Sequence, residues 1–273
     1  MKIFAFQAGL GNQFFQYAYY QYLCRHFPSS KFYGFYPKRA LHDHNGLEID
    51  KWFDVELPKS SRLSNIIATI LFWINKLFEK MQLPYLFTDS DRFRKPDSLF
   101  YLGYWQDKKY YQEVKTPSFR TDLEIGQENE RFLKMISESN SVAVHVRRGD
   151  YINYNIRNFY GNICTIDYYK RAILEIRKRV KNPIFFFFSD DITYVEEHFN
   201  DINKVVVSCN KGMNSFWDMY LMAHCKNMIL ANSTFSCCAA YLNKNQPLVI
   251  CPSKWNNGKR PPVLAIDNWI RLK

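Results

Sequence analysis

The stretch Val142-Ala143-Val144-His145-Val146-Arg147-Arg148-Gly149-Asp150-Tyr151 decides how the chain is read. Residues Val142 to Val146 form an extended apolar run of the kind that makes a buried strand. Two adjacent guanidiniums follow at once. In open α/β sheets ligands sit beyond the carboxyl ends of the strands, so Arg147 and Arg148 emerge where a ligand cleft is expected. Arginine presents a planar fork of donors that matches phosphate bidentately, so each side chain can grip one phosphoryl group of a diphosphate. A surface ion pair between Arg148 and Asp150 is the competing reading of the same residues.

Outward from this stretch, strand and helix signals alternate with short connections, the pattern of a doubly wound sheet. Tyr169, Ile173, Ile176 and Val180 recur at helical spacing before Asn182-Pro183 stops the helix. Ile184 to Phe188 reads as a second buried strand, delivering the cap-like cluster Ser189-Asp190-Asp191 to a helix around Val195 to Phe199. Lys204 to Val207 is a third strand. A polar loop, Asn210 to Asn214, precedes a helix bearing Phe216, Met219, Tyr220 and Ala223, and Met228 to Ala231 is a fourth strand. Asn232-Ser233-Thr234 turns that strand into the helix Phe235 to Leu242, and Leu248 to Cys251 closes the series.

The first half opens in the same style, with a strand at Lys2 to Phe6, a glycine turn Gln7-Ala8-Gly9-Leu10-Gly11-Asn12-Gln13 and an aromatic helix Phe14 to Phe27. The turn lacks the third glycine and the downstream acid of a dinucleotide fingerprint, which argues against a nicotinamide dehydrogenase. It fits a plain tight turn, or a helix N-terminus whose amides, with Asn12 and Gln13, address an anion. Residues 28–139 alternate less cleanly, and clusters such as Tyr101-Leu102-Gly103-Tyr104-Trp105 suit either a core or a sugar-stacking face. The expected lobes are 1–139 and 140–273.

Lysine and arginine number 37 against 26 acids, a net charge of +11 that suits a polyanion, an anionic membrane or a phosphorylated small molecule. The aromatics form no RNA-binding pattern and the cations no single tract, so nucleic acid is not the expected partner. Seven scattered cysteines without a Cys-x-x-Cys pair point to a reducing cytosol, and Met1 to Gln7 is too short an apolar run for a secretory signal. Ile66 to Ile74 is densely apolar and flanked by Arg62, Lys76 and Lys80. It is too short to span a bilayer, and reads either as a core helix or as an interfacial helix in peripheral contact with the inner face of the cytoplasmic membrane. Asp89-Ser90-Asp91 matches a metal-binding Asp-x-Asp only formally, and His42-Asp43-His44 lacks a further ligand, so no metal is expected.

Four motifs in order carry a resemblance: Gly9-Leu10-Gly11-Asn12-Gln13-Phe14-Phe15-Gln16-Tyr17-Ala18, His145 to Tyr151, Phe187-Phe188-Ser189-Asp190-Asp191, and Ile229 to Ser236. Across nearly its whole length the chain resembles the bacterial α-1,2-fucosyltransferases, glycosyltransferase family 11. The resemblance implies an α/β, GT-B-like fold, two facing Rossmann-type lobes with the active-site cleft between them. The first lobe would take the acceptor and the second GDP-fucose. It implies inverting transfer of L-fucose to the 2-hydroxyl of a galactose-terminated oligosaccharide in a surface glycan, without cofactor or metal. The runners-up are a glycosyltransferase using another nucleotide sugar and a non-catalytic glycan- or nucleic-acid-binding protein.

By similarity, Arg147 would hold the β-phosphate with Arg148 close by; His145 and Asp218 would face the guanosine. Ser233, Thr234 and Ser236 would complete the phosphate pocket, Asp190 would join the donor site, and Gly11 and Asn12 would face the reaction centre from the other lobe. Asp150 is the carboxylate nearest the motif, either a base for the acceptor hydroxyl or a partner that orients an arginine. The chain departs from the family at Cys237-Cys238-Ala239-Ala240, where Trp-Trp-Gly-Ala is common.

Overall fold

In the computed structural model, which describes residues 1–42, 45–81, 83, 97–149, 154–258 and 264–273, the chain divides into two compact units, Met1–Thr121 and Asp122–Lys273. The first runs β1 (Lys2–Ala5), α1 (Leu10–His26), β2 (Phe32–Phe35), α2 (Lys38–His42), α3 (Ile49–Trp52), α4 (Arg62–Lys80), β3 (Phe100–Tyr101) and α5 (Lys108–Gln112). Its strands are parallel, in the order β2-β1-β3.

Alternation along β1 divides the packing of this unit. Ile3 and Ala5 join Phe35, Ala68, Phe72, Phe100 and Leu102 in a core closed by α4. Phe4 and Phe6 meet Tyr20 of α1 at ring-centroid separations of 5.9 and 6.4 Å. Successive strand side chains point to opposite faces, so four short apolar residues hold a helix on each side. Tyr101 and Trp105 are buried, and Trp105 stacks on Tyr19 at 4.1 Å. They are core residues, whereas Tyr104 between them is exposed.

α1 starts at Leu10, four residues before the sequence reading, because Gly9 takes the extended cap conformation (φ −77°, ψ 170°) and Gly11 fits inside the first turn. Ile66 to Ile74 proves to be the middle of α4, a helix of 19 residues. Among the described residues no helix is long and apolar enough to cross a membrane.

The second unit runs α6 (Gln127–Glu138), β4 (Asn140–Val146), α7 (Tyr154–Tyr160), α8 (Ile166–Arg179), β5 (Pro183–Ser189), α9 (Ile192–His198), β6 (Lys204–Val207), a 3₁₀ turn (Gly212–Ser215), α10 (Phe216–His224), β7 (Asn227–Ile229), α11 (Thr234–Leu242), β8 (Leu248–Pro252) and β9 (Ile270–Leu272). All six strands are parallel, in the order β6-β5-β4-β7-β8-β9. The boundary between units lies at Thr121/Asp122 and not at 139/140, because α6 packs on β4 and α10 and so belongs with the second sheet. α6, α7 and the edge strand β9 are elements of this unit that the sequence reading did not include.

On one face of this sheet Val142, Val144, Val146, Phe185 and Phe187 pack with Tyr168, Tyr169, Ile173 and Ile176 of α8. Thr165 caps α8 by accepting from the Tyr168 amide, and Asp191 caps α9 by accepting from the Tyr194 amide at 3.0 Å. On leaving β4 the chain builds β5 and β6 to one side, then returns to the other side of β4 as β7. The β4/β7 junction is therefore the switch point of the sheet, where a doubly wound fold opens a crevice beyond its strand ends.

Candidate active site

Two loops meet at this switch point. The β4 loop carries Arg147, Arg148 and Gly149; the β7 loop carries Asn232 and Ser233 into α11. Asn232 is buried, its amide donating to the carbonyls of Tyr160 at 2.9 Å and Trp255 at 3.1 Å, which fixes the loop against the body of the unit. Ser233 caps α11, its hydroxyl accepting from the Phe235 amide at 3.3 Å. The N-terminal amides and dipole of α11 thus face the end of β4, an environment that favours an anion. Thr234 opens the helix and is half-buried. Ser236 is fully buried and donates to the Ser233 carbonyl at 3.3 Å, a bond within the first turn of α11. Cys237 and Cys238, at the family departure, are likewise buried within α11.

The arginines are held by the neighbouring loop. Arg147 Nη1 lies 2.7 Å from Asp190 Oδ2, and Arg148 Nε donates to Asp191 Oδ2 at 3.0 Å. Asp190 also accepts from the Arg148 backbone amide at 2.8 Å. Tyr194, one turn into α9, carries the Arg148 guanidinium 3.7 Å above its ring. The Tyr194 amide and Arg148 together hold the Asp191 carboxyl below the usual range. A Cβ on Gly149 would stand 2.7 Å from Asp190 Oδ2, so any larger residue there would make that carboxylate shift. These ion pairs are about two-thirds buried. They orient the forks more than they stabilise the fold, since partly exposed pairs are worth about 0–1 kcal/mol. Arg148 thus has a carboxylate partner in Asp191; Asp150 of the competing Arg148–Asp150 pair, with Asp43, His44, Asp89 and Asp91, lies outside the described residues.

His145, two residues before Arg147, faces α11, with its ring 5.9 Å from that of Phe235. Its Nδ1 is buried with no partner among the described residues. Burial, reinforced by Arg147, lowers its pKa to about 4, so the ring is neutral at pH 7 and can offer a donor or an acceptor to a ligand. Asp218 lies elsewhere, on α10. Asn210 donates to its Oδ1 at 2.8 Å and exchanges amide bonds with Asn129 of α6. Burial pushes the Asp218 carboxyl up to about 7. The structure brings His145, Arg147, Arg148, Asp190, Ser233 and Thr234 to one switch point and ties Asp218 to a separate amide network beyond β6.

The first unit has its own switch point, between β1 and β3. Here Asn12 Oδ1 accepts from Gln106 Nε2 at 2.8 Å, and Gly11 is buried in the first turn of α1. Gln13, expected to offer its amide to an anion, is fully engaged. Its Nε2 donates to the Ala8 and Gly46 carbonyls, each at 2.8 Å, and its Oε1 accepts from the Glu48 and Ile49 amides. Gln16 similarly accepts from the Gln7 amide and donates to the Gly103 carbonyl, both at 3.0 Å. The two loops contain left-handed residues other than glycine, Ala8 (φ 62°) and Trp105 (φ 52°). Such strain concentrates at ligand clamps and active sites. Gln106 and Tyr194 carried no motif signal: each is identified by a partner far away in sequence. Among the described residues no group of three or more His, Cys, Asp or Glu side chains could hold a metal ion.

Two parallel α/β units, each with a switch point and one lined by guanidiniums, define a GT-B-like glycosyltransferase. The chain belongs to glycosyl transferase family 11, whose profile matches residues 6–272. It is 32% identical to an alpha-1,2-colitosyltransferase of Escherichia coli over 97% of this chain and 96% of that protein. It is 24% identical to the galactoside 2-alpha-L-fucosyltransferase Sec1 of Mus musculus, over 78% of this chain and 67% of that one. The crystal structure of the NodZ alpha-1,6-fucosyltransferase soaked with GDP-fucose has the same fold, with a TM-score of 0.53, 14% identity, and coverage of 88% of this chain and 91% of that one.

Proposed function

We propose that this glycosyltransferase moves L-fucose from GDP-fucose, with inversion, to the 2-hydroxyl of a galactose-type acceptor in a surface glycan. The observation that carries the reading is the pair Arg147 and Arg148, pre-aimed by Asp190 and Asp191 at a helix N-terminus on a switch point. As the glycosidic bond to fucose stretches, the GDP leaving group gains negative charge. Arg147 answers that charge at the β-phosphate, with Arg148 and the amides of Ser233 and Thr234 beside it. Preorganised donors of this kind are typically worth about 3–4 kcal/mol in the transition state. His145, neutral and buried, is assigned to the nucleoside side. Asp218, in the separate Asn129–Asn210 amide network, is assigned to the guanine base, the end of the donor farthest from the phosphates.

On the acceptor side, Asn12 is assigned to the reaction centre, with Gly11 allowing close backbone approach and Gln106 holding the Asn12 amide. Asp150 is the proposed carboxylate for the proton of the attacking hydroxyl. Side-chain cations neutralise the leaving group, so transfer is proposed to need no divalent metal and to survive EDTA. Loss of activity on chelation, restored by Mn²⁺, would contradict that.

A second reading is favoured by one observation, the 32% identity to a protein named as a colitosyltransferase. On that reading the donor is nucleotide-activated colitose, a related sugar, bound through the same diphosphate site. A donor screen separates the two. Release of the nucleoside diphosphate from GDP-fucose on a β-galactoside acceptor, well above that from GDP-mannose, UDP-galactose and nucleotide-activated colitose, supports the first. A clear preference for the colitose donor replaces it with the second.

A further inference from the structure

α4 has two apolar faces, and only one is used by the fold. Ser64, Ala68, Phe72 and Asn75 are buried, and Ala68 and Phe72 close the core over β1 and β2. On the outside, Leu63, Ile66, Ile70, Trp73 and Leu77 are each between 51% and 61% exposed. Their spacing of three and four residues in alternation places them along one line of the helix. Met81, just beyond the helix, continues that line and is also exposed. A contiguous apolar stripe of five large side chains is costly to leave in water, and marks a contact surface.

The flanks of the stripe identify its partner. α4 carries Arg62, Lys76 and Lys80 against a single acid, Glu79, which is already paired with Lys76 at 2.7 Å. Lys59 stands exposed just before the helix. A second copy of α4 would bring cations against cations. An anionic bilayer surface is complementary: the stripe enters the acyl boundary, the ring of Trp73 takes the interfacial level, and the lysine and arginine stems reach up to phosphate headgroups. A pocket of about 340 Å³ opens beside the stripe, walled by Phe35, Phe72 and Trp73 with Lys38 among its lining groups, so the mixed apolar and cationic character continues around the helix.

We propose that the outer face of α4 docks the protein on an anionic membrane, lying in the interface without crossing it. The inference rests on α4 alone and holds whichever nucleotide sugar is used. The test is sedimentation of the full chain with vesicles of phosphatidylcholine alone and of equal parts phosphatidylcholine and phosphatidylglycerol, at low and high salt. The protein is expected on the mixed vesicles at low salt, not on the neutral ones, and to leave as salt screens the headgroups. Ile70→Ser with Trp73→Ser, and separately Lys76→Glu with Lys80→Glu, should each lower the bound fraction about tenfold or more. Both variants should keep the parent's circular dichroism spectrum and thermal unfolding, which separates lost docking from lost folding. Wild-type protein that ignores the mixed vesicles at low salt, or variants that bind as well as the parent, would overturn the proposal. So would a dimer, seen by analytical ultracentrifugation, that the Ile70/Trp73 variant dissociates, because the stripe would then be a self-interface.

Discussion

The two switch points are built on the same plan and from opposite chemistry. At β1/β3 the loops are clipped by neutral amides: Gln13 makes four hydrogen bonds, Gln16 two, and Asn12 is held by Gln106. At β4/β7 the β7 loop is also clipped by an amide, Asn232, but the β4 loop is held by charge, Arg147 on Asp190 and Arg148 on Asp191. Buried amides that are fully engaged fix a backbone rigidly and have nothing left for a ligand. Partly exposed ion pairs cost little to rearrange, so guanidiniums held by them can turn toward an incoming diphosphate. Under the proposed function, this contrast suits the second unit to a charged donor and the first to a precisely shaped but neutral task.

The largest effect that would sharpen this contrast is on Arg147. Arg147→Ala should lower kcat/KM for GDP-fucose about a hundredfold, the factor that ~3 kcal/mol of transition-state stabilisation represents. Arg147→Lys should not restore it, because a lysine keeps the charge and loses the fork. Arg62→Ala, on α4, is the matched control with a soluble acceptor. A Lys variant close to wild type would mean that charge alone suffices.

At the other switch point the loss should be of stability. Gln13→Ala leaves the Ala8, Gly46, Glu48 and Ile49 backbone groups without their partner, and at ~1–3 kcal/mol for an unsatisfied buried group the variant should unfold at markedly lower denaturant. Its kcat/KM, measured on the folded fraction, should change less than for Arg147→Ala. The reverse ranking would break the division of labour.

How much of this could be read in advance differs between the units for the same physical reason. Strands β4, β5, β6, β7 and β8 are apolar runs bounded by cap residues, and the sequence shows each of them. β9 is three residues long with exposed Arg271 at its centre, which leaves no periodicity to find. The sequence reading passed over α6, and nothing in its amphipathic stripe says which sheet it covers. In the site, the guanidiniums, the Ser233 cap and Asp190 were legible because their chemistry is local. Tyr194 under Arg148 and Gln106 on Asn12 were not, because each contact joins residues from different loops. Gln13 was read as a ligand donor, and only the positions of four distant backbone groups show it to be a clip.

A smaller effect tests the packing of the β4 loop. Gly149→Ala puts a Cβ 2.7 Å from Asp190 Oδ2, so that carboxylate must swing away from Arg147. The expected cost is about tenfold in kcat/KM, since misaiming a positioned group by a fraction of an ångström is enough for that. Asp190→Ala in the same background should then add little.

The pH dependence of stability should be the mildest signal, with two opposed contributions. His145 falls from 6.5 to about 4 on folding through burial and Arg147, so its contribution is complete above pH 6.5 and is lost as pH falls toward 4. Asp218 rises from 3.8 to about 7 through burial, so its contribution is complete below pH 3.8 and is lost as pH climbs to 7. The two slopes nearly cancel in the wild type between pH 4 and 6.5, so the Tm of His145→Gln should fall as pH rises across this window, and that of Asp218→Asn should rise. Parallel Tm profiles for all three proteins would contradict both assignments.

Calorimetric titration with GDP and with guanosine tests the donor-site assignment most directly. Arg147→Ala should weaken GDP binding by about tenfold or more while leaving guanosine binding unchanged, because only GDP carries the phosphates that the guanidinium grips. Asn12→Ala, at the neutral switch point, should bind GDP like the parent. If Arg147→Ala binds GDP as tightly as wild type, or if Asn12→Ala shows the greater loss, the diphosphate does not sit at β4/β7.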